Sequence, residues 1–165
     1  MGGACRIEPL DPGLDRSGFQ SAAAPLDRYF HAQVTQDVRR RVTACFVALA
    51  PDRRIAAYYT LASASVMLSD LPVQLGNRLP RYPSVPAVRM GRLAVDKAFR
   101  NQGLGSALLA DALLRARRSG IAAYALVVDA RDEAAAAFYR HHGFVAFGGH
   151  ALTLFLALAT VPANP

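Results

Sequence analysis

The heptapeptide "RNQGLGS", residues 100–106, combines residue types that can bind a phosphate group. Gly103 and Gly105 lack a Cβ, so the backbone can turn tightly there and approach a ligand closely. The apolar pattern that follows predicts a helix running to about Ser119, and the first N–H groups of a helix lack internal partners and carry partial positive charge. Arg100 adds a full charge. This glycine loop suits a pyrophosphate, although a plain turn between a strand and a helix also explains two glycines.

The glycine loop matches neither of the two common phosphate motifs. It lacks the GxxxxGK spacing and the lysine of a Walker loop, and Leu108 takes the place of the third glycine of G-x-G-x-x-G. Its function therefore has to be judged from the sequence around it.

Positive charge is concentrated next to the glycine loop. The formal net charge is +7, and residues 71–100 account for five of these charges. The cations of this basic segment are Arg78, Arg81, Arg89, Arg92, Lys97 and Arg100, and its one acid is Asp96. Clustered positive charge predicts a polyanionic partner. A compositional preference for Arg, which supplies 18 of the 19 cations, is the alternative, but it does not explain the clustering.

The spacing of apolar residues predicts one α/β domain around a single sheet. Leu26, Phe30, Val34 and Val38 recur every four residues, which predicts a helix. Asp132 and Gly143 are typical of the start and the end of a further helix. A proline-rich loop through Pro86 precedes the strand "VRMGRLAV". The other predicted strands are "CRIEPL", "RVTACFVALA" and "IAAYYTLASASV", joined by the turn "PDRR", then "AAYALVVD" and "HALTLFLALA".

Composition excludes several other classes of protein. With 53% hydrophobic and 19% charged residues, the chain is a packed globular protein rather than a disordered one. No run approaches the roughly 18 apolar residues that a membrane span needs, and the N-terminus lacks a secretory pattern, so we expect a cytoplasmic protein without a membrane partner. Cys5, Cys45 and the four histidines show no disulfide or metal-ligand spacing, so we expect no metal.

The context of the glycine loop resembles that of a known family. The strand "GRLAVD", the R-x-x-G-x-G loop and the later "AAFYRHHGF" are similar to the acetyl-CoA signature and second landmark of the GNAT superfamily of N-acetyltransferases. "AYYTLASASV", "LPRYPSVPAVRMGRLAVD" and "LTLFLAL" resemble the subgroup that acts as toxins of type II toxin–antitoxin pairs. The resemblance covers residues 44–158; earlier, "GFQSAAAPLDRYF" lacks the Cys-Gly that subgroup members usually carry.

The resemblance implies a fold and a set of site residues. The fold would be a single domain over residues 1–158, with a mixed, mostly antiparallel sheet, a splayed strand pair and helices on both faces, and a disordered tail at 159–165. The implied catalytic residue is Tyr139, which would protonate the departing thiolate. The implied acetyl-CoA-binding residues are Leu93, Ala94, Val95, Arg100, Asn101, Gln102, Gly103, Leu104, Gly105, Ser106, Asp132, Ala135 and Tyr139. Asp132 stands where many members have Asn, and a helix N-cap is the alternative that we favour for it.

The acceptor follows from what the sequence lacks and from the subgroup. No acid stands out as a general base, which favours an α-amine, near pKa 7.7–8.0, over a lysine near 10.4. In the toxin subgroup the acceptor is the α-amine of an aminoacyl-tRNA, whose phosphates Arg78, Arg81, Arg89 and Arg92 would contact. Two alternatives remain at this point: a small-molecule amine or protein N-terminus as acceptor, and a non-catalytic module that binds CoA or nucleic acid.

Two protein partners are also expected. The subgroup resemblance implies a ribbon–helix–helix antitoxin, whose acidic part could cover the arginines of the basic segment. A homodimer could form through the apolar C-terminal strand "LTLFLAL".

Overall fold

The structure is a computed structural model that describes residues 4–79 and 83–163. Its strands and helices, in chain order, are β1 (Arg6–Pro9), α1 (Ala24–Ala32), α2 (Val34–Arg39), β2 (Ala44–Leu49), β3 (Ile55–Met67), α3 (Val73–Gly76), β4 (Ser84–Val95), α4 (Leu104–Arg118), β5 (Ala125–Asp129), α5 (Glu133–His141), β6 (Val145–Phe147) and β7 (His150–Ala157). Short 3-10 turns lie at Leu68–Asp70, Lys97–Phe99 and Leu158–Thr160.

The strands form one seven-stranded mixed sheet in the order β1-β2-β3-β4-β5-β7-β6. β4 and β5 are parallel, whereas β1 with β2, β2 with β3, β5 with β7 and β6 with β7 are antiparallel. The predicted α/β class and mixed sheet are confirmed. β6 was not predicted, because three residues are too few to show an alternating pattern. The proline-rich loop was predicted to extend through Pro86, but β4 already begins at Ser84. Pro86 lies within this strand, where its carbonyl accepts a hydrogen bond from Tyr124 N at 2.8 Å.

Internal contacts divide the chain into two compact units. The first comprises Met1–Ala62 and Gly91–Ala112, and the second comprises Ser63–Met90 and Leu113–Pro165. The described residues contain no helix that combines the length and the hydrophobicity needed to cross a bilayer.

The core of the first unit packs α1 and α2 against strands. Phe30 and Val34 are fully buried, and the Phe30 ring stacks on Tyr58 with centroids 4.2 Å apart. The four-residue spacing predicted this buried face correctly, but it also predicted one continuous helix. The structure has two helices, because Gln33 ends α1 and begins α2. Both sides of this break still present their apolar residues to the same core cluster.

The core of the second unit is built on β5, whose residues 125–128 are fully buried. β7 lies between β5 and β6, and its Leu154 and Phe155 are buried as well. The strand that we considered as a dimer surface is therefore an inner strand of the sheet, and β6 covers part of its second edge. Beyond it, Arg117 Nε donates to Val161 O at 3.2 Å and Arg118 Nη2 donates to Ala163 O at 3.0 Å, which attaches the described part of the expected tail to α4.

Candidate functional site

A buried carboxylate fixes the backbone where β4 leads into the glycine loop. Asp96 is only 9% exposed, and its two oxygens accept hydrogen bonds from Ala98 N and Gln20 N, each at 2.8 Å. Its own N–H donates to Ala56 O at 2.8 Å, and Lys97 N donates to Gln20 O at the same distance. The start of the loop is thus tied both to β3 and to the segment before α1. In the sequence Asp96 stands out only as the one acid of the basic segment, so this supporting function was missed.

The glycine loop itself is an exposed turn that leads into α4. Asn101 and Gly103 have the positive φ angles of 61° and 74°. A Cβ built on Gly103 would meet no atom within 4 Å, so the open side of the turn leaves room for a ligand. Arg100 and Gln102 are exposed on the same turn. An exposed helix N-terminus with a neighbouring guanidinium fits a diphosphate, and the pyrophosphate contact of these residues stays a prediction.

The remaining loop residues belong to the beginning of α4. The helix starts at Leu104, so Gly105 and Ser106 lie in its first turn. Ala107 N donates to Gly103 O at 3.0 Å, which closes that turn. The backbone N–H groups of residues 104 and 105 therefore belong to the segment in which a helix has no earlier carbonyl to bond.

The end of β4 extends beyond its pairing with β5. The parallel register runs from Ala87 opposite Ala125 to Met90 opposite Val128, and β4 continues to Val95. Leu93 and Val95 are half-buried, and Ala94 is buried in the core cluster of the first unit. Any contact that Ala94 makes with a ligand therefore has to come from its backbone.

Tyr139 is a buried phenol on a helix with well-defined ends. Asp132 caps α5, because its Oδ1 accepts from Ala135 N at 2.8 Å, and Gly143 follows the helix with a φ of +93°. Tyr139 is 5% exposed and packs beside the ring of Phe144. Burial, followed by the negative charge of Asp129, raises the pKa of Tyr139 to about 12. The phenol is therefore protonated at neutral pH. A protonated phenol can serve as a proton donor but not as a proton acceptor.

The N-cap explains why Asp132 stands at its position. Its side chain is committed to the N–H of Ala135, which is the alternative that we favoured from the sequence. A contact of Asp132 or Ala135 with the pantetheine arm stays a prediction.

The arginines of the basic segment have different surroundings. Arg92, in the first unit, places its guanidinium 3.4 Å from the centroid of the Tyr29 ring, and the Tyr29 hydroxyl donates to Asp37 Oδ2 at 2.9 Å. Arg89, in the second unit, forms an ion pair with Asp129. Arg78 is exposed after α3. Arg81 lies outside the described residues. The roles of all four toward RNA stay predictions.

Asp129 is a second residue that sequence reasoning did not single out. It ends β5, and its carboxylate is bonded by Arg89 Nη1 and by Thr153 Oγ1, the latter at 3.4 Å. Arg89 is 40 positions away in sequence, so no local pattern relates the two residues.

Comparison with known proteins identifies the class. A family model described as "Acetyltransferase (GNAT) domain" matches residues 44–146, which include Asp96, the glycine loop, Asp129 and Tyr139. The chain therefore belongs to the GNAT acetyltransferase family and is an acetyl-CoA-dependent enzyme, which confirms the predicted family, fold and enzyme class.

Particular relatives agree with this class. The chain is 35% identical over 141 residues to the tRNA-acetylating toxin of Mycobacterium tuberculosis, an alignment that covers 84% of this chain and 81% of that protein. It also matches the solved structure of AtaT complexed with acetyl-methionyl-tRNAfMet, with a TM-score of 0.88, 26% identity, and coverage of 95% and 96% of the two chains. A structure of AtaTR bound with AcCoA matches with a TM-score of 0.82, 26% identity, and coverage of 94% and 95%.

Proposed function

We propose that this protein transfers the acetyl group of acetyl-CoA to the α-amine of an aminoacyl-tRNA, and that this reaction makes it a toxin that blocks translation. The observation that carries the choice of acceptor is the 35% identity to a tRNA-acetylating toxin over 84% of the chain. The match to AtaT in complex with an acetylated methionyl-tRNA supports the same acceptor. Aminoacyl-tRNAs are substrates of the cytoplasm, where we propose that the protein acts.

The glycine loop binds the pyrophosphate of acetyl-CoA in this proposal. The backbone N–H groups at the start of α4 donate to the phosphate oxygens, and Arg100 supplies a charged contact. Asn101 and Gln102 flank this contact, and Gly103 keeps the turn open. The backbone of residues 93–95 receives the pantetheine arm and the thioester, which provides the activated acetyl group.

Tyr139 acts on the leaving group. A phenol with a pKa of about 12 remains protonated, so it can donate a hydrogen bond to the sulfur as the C–S bond breaks. Complete transfer of that proton to a thiolate, whose thiol has a pKa near 8.5, is uphill. The proton transfer from Tyr139 to the sulfur is therefore completed only as the attacking nitrogen releases its own proton.

The cations of the basic segment bind the RNA. Arg78 is exposed, and its guanidinium is suited to a phosphate of the acceptor stem. Arg81, Arg89 and Arg92 are the further candidates. An antitoxin of the ribbon–helix–helix type would neutralise the toxin by placing acidic residues on these same side chains.

The decisive experiment supplies labelled acetyl-CoA with three kinds of acceptor: aminoacylated tRNA, the same tRNA uncharged, and a mixture of small amines and N-terminal peptides. We expect label only in the aminoacylated tRNA, in a form released as N-acetylamino acid when the ester is hydrolysed. Tyr139→Phe is the control for enzyme-dependent transfer. Label in the amines or peptides alone would replace the proposed acceptor, and no transfer to any acceptor would exclude the proposed reaction.

The RNA contact is tested separately by its dependence on salt. Each phosphate contact that is lost should lower the slope of log affinity against log salt by about one. We expect Arg78→Ala to weaken tRNA binding and reduce this slope while the affinity for acetyl-CoA stays unchanged. Equal tRNA affinity for both proteins at low and high salt would remove Arg78 from the RNA surface.

A further inference from the structure

Three neighbouring strands of the second unit bring Arg89, Asp129 and Thr153 together. Arg89 of β4 is in register with Val127 of β5, and Asp129 of β5 is in register with Thr153 of β7. Residues in register, and residues two apart on one strand, share a face of the sheet. The three polar side chains therefore lie side by side on one face, at the end of β5.

This cluster contributes little to stability. The side chains of Arg89 and Asp129 are 40% and 46% exposed, and ion pairs at such positions typically contribute between 0 and about 1 kcal/mol. The Thr153 contact, at 3.4 Å, is long for a hydrogen bond. A carboxylate that is held in one orientation, yet remains open to solvent, is more suited to a bound ligand than to the support of the fold.

The carboxylate also lies close enough to the phenol of Tyr139 for its charge to act on it. Within residues 4–79 and 83–163, the charged or titratable groups found to interact with Asp129 are Arg89 from β4 and Tyr139 from α5, and the neutral Thr153 from β7 also contacts it. The charge of an anion thus acts on a protonated acid. Neighbouring groups with opposite protonation are the usual arrangement for the two proton transfers of one reaction.

We infer that Asp129 binds the acceptor amine and accepts its proton, while Arg89 and Thr153 hold the carboxylate in the orientation this requires. The inference rests on the proposed function, since it assigns the acceptor side of that reaction. Arg89 then acts as a positioning residue in addition to, or instead of, the RNA contact predicted for it.

The neutral α-amine attacks the thioester carbon, so that a C–N bond forms and the C–S bond breaks. The nitrogen becomes strongly acidic once it has bonded to carbon, so a carboxylate suffices to take its proton. Tyr139 gives its proton to the departing sulfur. Asp129 releases the proton from nitrogen to solvent, and Tyr139 regains one from solvent, so the net products are the acetylated amine and free CoA.

The test replaces Asp129 by its uncharged isostere, with a matched control. Asp129→Asn should lower kcat/KM for aminoacyl-tRNA at least about tenfold, while the Kd for acetyl-CoA stays within twofold of the wild type. Glu133→Gln removes one negative charge from an exposed ion pair on α5 and should leave both quantities unchanged. If Asp129 acted only through Tyr139, removing its charge would make the phenol a stronger acid and would not slow the reaction.

The pH dependence separates a proton acceptor from a structural residue. Hydroxide can replace the missing carboxylate, so the ratio of wild-type to Asp129→Asn kcat/KM should narrow at least about threefold between roughly pH 6.5 and 8.5. A residue that only supports the fold gives the same ratio at every pH, and that result would overturn the inference.

A second variant, Arg89→Gln, tests the inference independently of any folding defect in Asp129→Asn. Arg89→Gln leaves Asp129 in place and should lower kcat/KM about threefold to tenfold without changing the Kd for acetyl-CoA, whereas Arg89→Lys should recover most of that loss. If both Asp129→Asn and Arg89→Gln turn over as the wild type does, the inference is wrong although the proposed function stands. If the wild type itself does not acetylate aminoacyl-tRNA, the proposed function fails as well.

Discussion

The proposed function assigns different tasks to the glycine loop and to helix α5. The loop is exposed, and the backbone at its start is held by the buried carboxylate of Asp96. Helix α5 carries the buried side chain of Tyr139, and burial raises the pKa of this phenol. In the proposed function the loop acts through N–H groups and α5 through one phenol, so changes in the loop should alter the affinity for acetyl-CoA. Changes at Tyr139 should alter the rate of transfer.

The largest effect is expected for Tyr139→Phe, which removes only the hydroxyl. Without this proton donor the rate of transfer should fall at least about tenfold, while the Kd for acetyl-CoA remains nearly unchanged. Single-turnover kinetics and calorimetric titration measure the two quantities. Tyr124→Phe, a half-buried tyrosine of the same unit, is the matched control. An unchanged rate in Tyr139→Phe would contradict the assignment of chemistry to α5.

Asp96→Ala should have the next largest effect, and this effect should be on the affinity for acetyl-CoA rather than on the rate of transfer. The change removes two hydrogen bonds that a buried carboxylate accepts from Ala98 and Gln20, so we expect a loss of about 2 kcal/mol in the free energy of unfolding. The Kd for acetyl-CoA should rise about tenfold because the loop loses its support. Asp11→Ala, which removes one such bond from an exposed turn, is the control. A lower transfer rate with unchanged affinity would show that the two regions are not separable.

Gly103→Ala tests the backbone of the loop alone. A Cβ at this position meets no atom within 4 Å, so the cost is that of placing alanine at a φ of +74°, about 1 kcal/mol. We expect a several-fold weaker affinity for acetyl-CoA and an unchanged maximal rate. Gly120→Ala, which also meets no atom within 4 Å but has no positive φ, is the matched control. Equal affinities in the two variants would mean that the left-handed turn is not needed for binding.

The smallest effect distinguishes the two roles of Asp132. Asp132→Ser keeps an N-cap for α5, whereas Asp132→Ala removes it at a cost of about 1 kcal/mol in stability. If the cap is the whole function, the serine variant should match the wild type in both melting temperature and acetyl-CoA affinity. A serine variant of normal stability that binds acetyl-CoA weakly would instead support a contact with the pantetheine arm.

The sequence predicted those parts of the site whose causes are local. The cap and end of α5, the glycine turn and the start of α4 each depend on residues only a few positions apart. The contacts that were missed join distant positions: Gln20 to Asp96 across 76 residues, and Arg89 to Asp129 across 40. No periodicity reports such pairs, because they form only when the strands and the segment before α1 have packed. The break at Gln33 was missed for a related reason, since a four-residue spacing continues through it unchanged.

The tether between Asp96 and Gln20 bears on how freely the segment before α1 can diverge. Both hydrogen bonds at this point use the backbone of Gln20, its N–H toward Asp96 and its carbonyl toward Lys97. The next residue, Ser21, donates its hydroxyl to Asp27 Oδ1 at 2.6 Å, which lies outside this tether. The start of the glycine loop is therefore tied to the backbone of this segment and not to its side chains. Substitutions at Gln20 that keep the path of the backbone should accordingly leave the position of the loop unchanged.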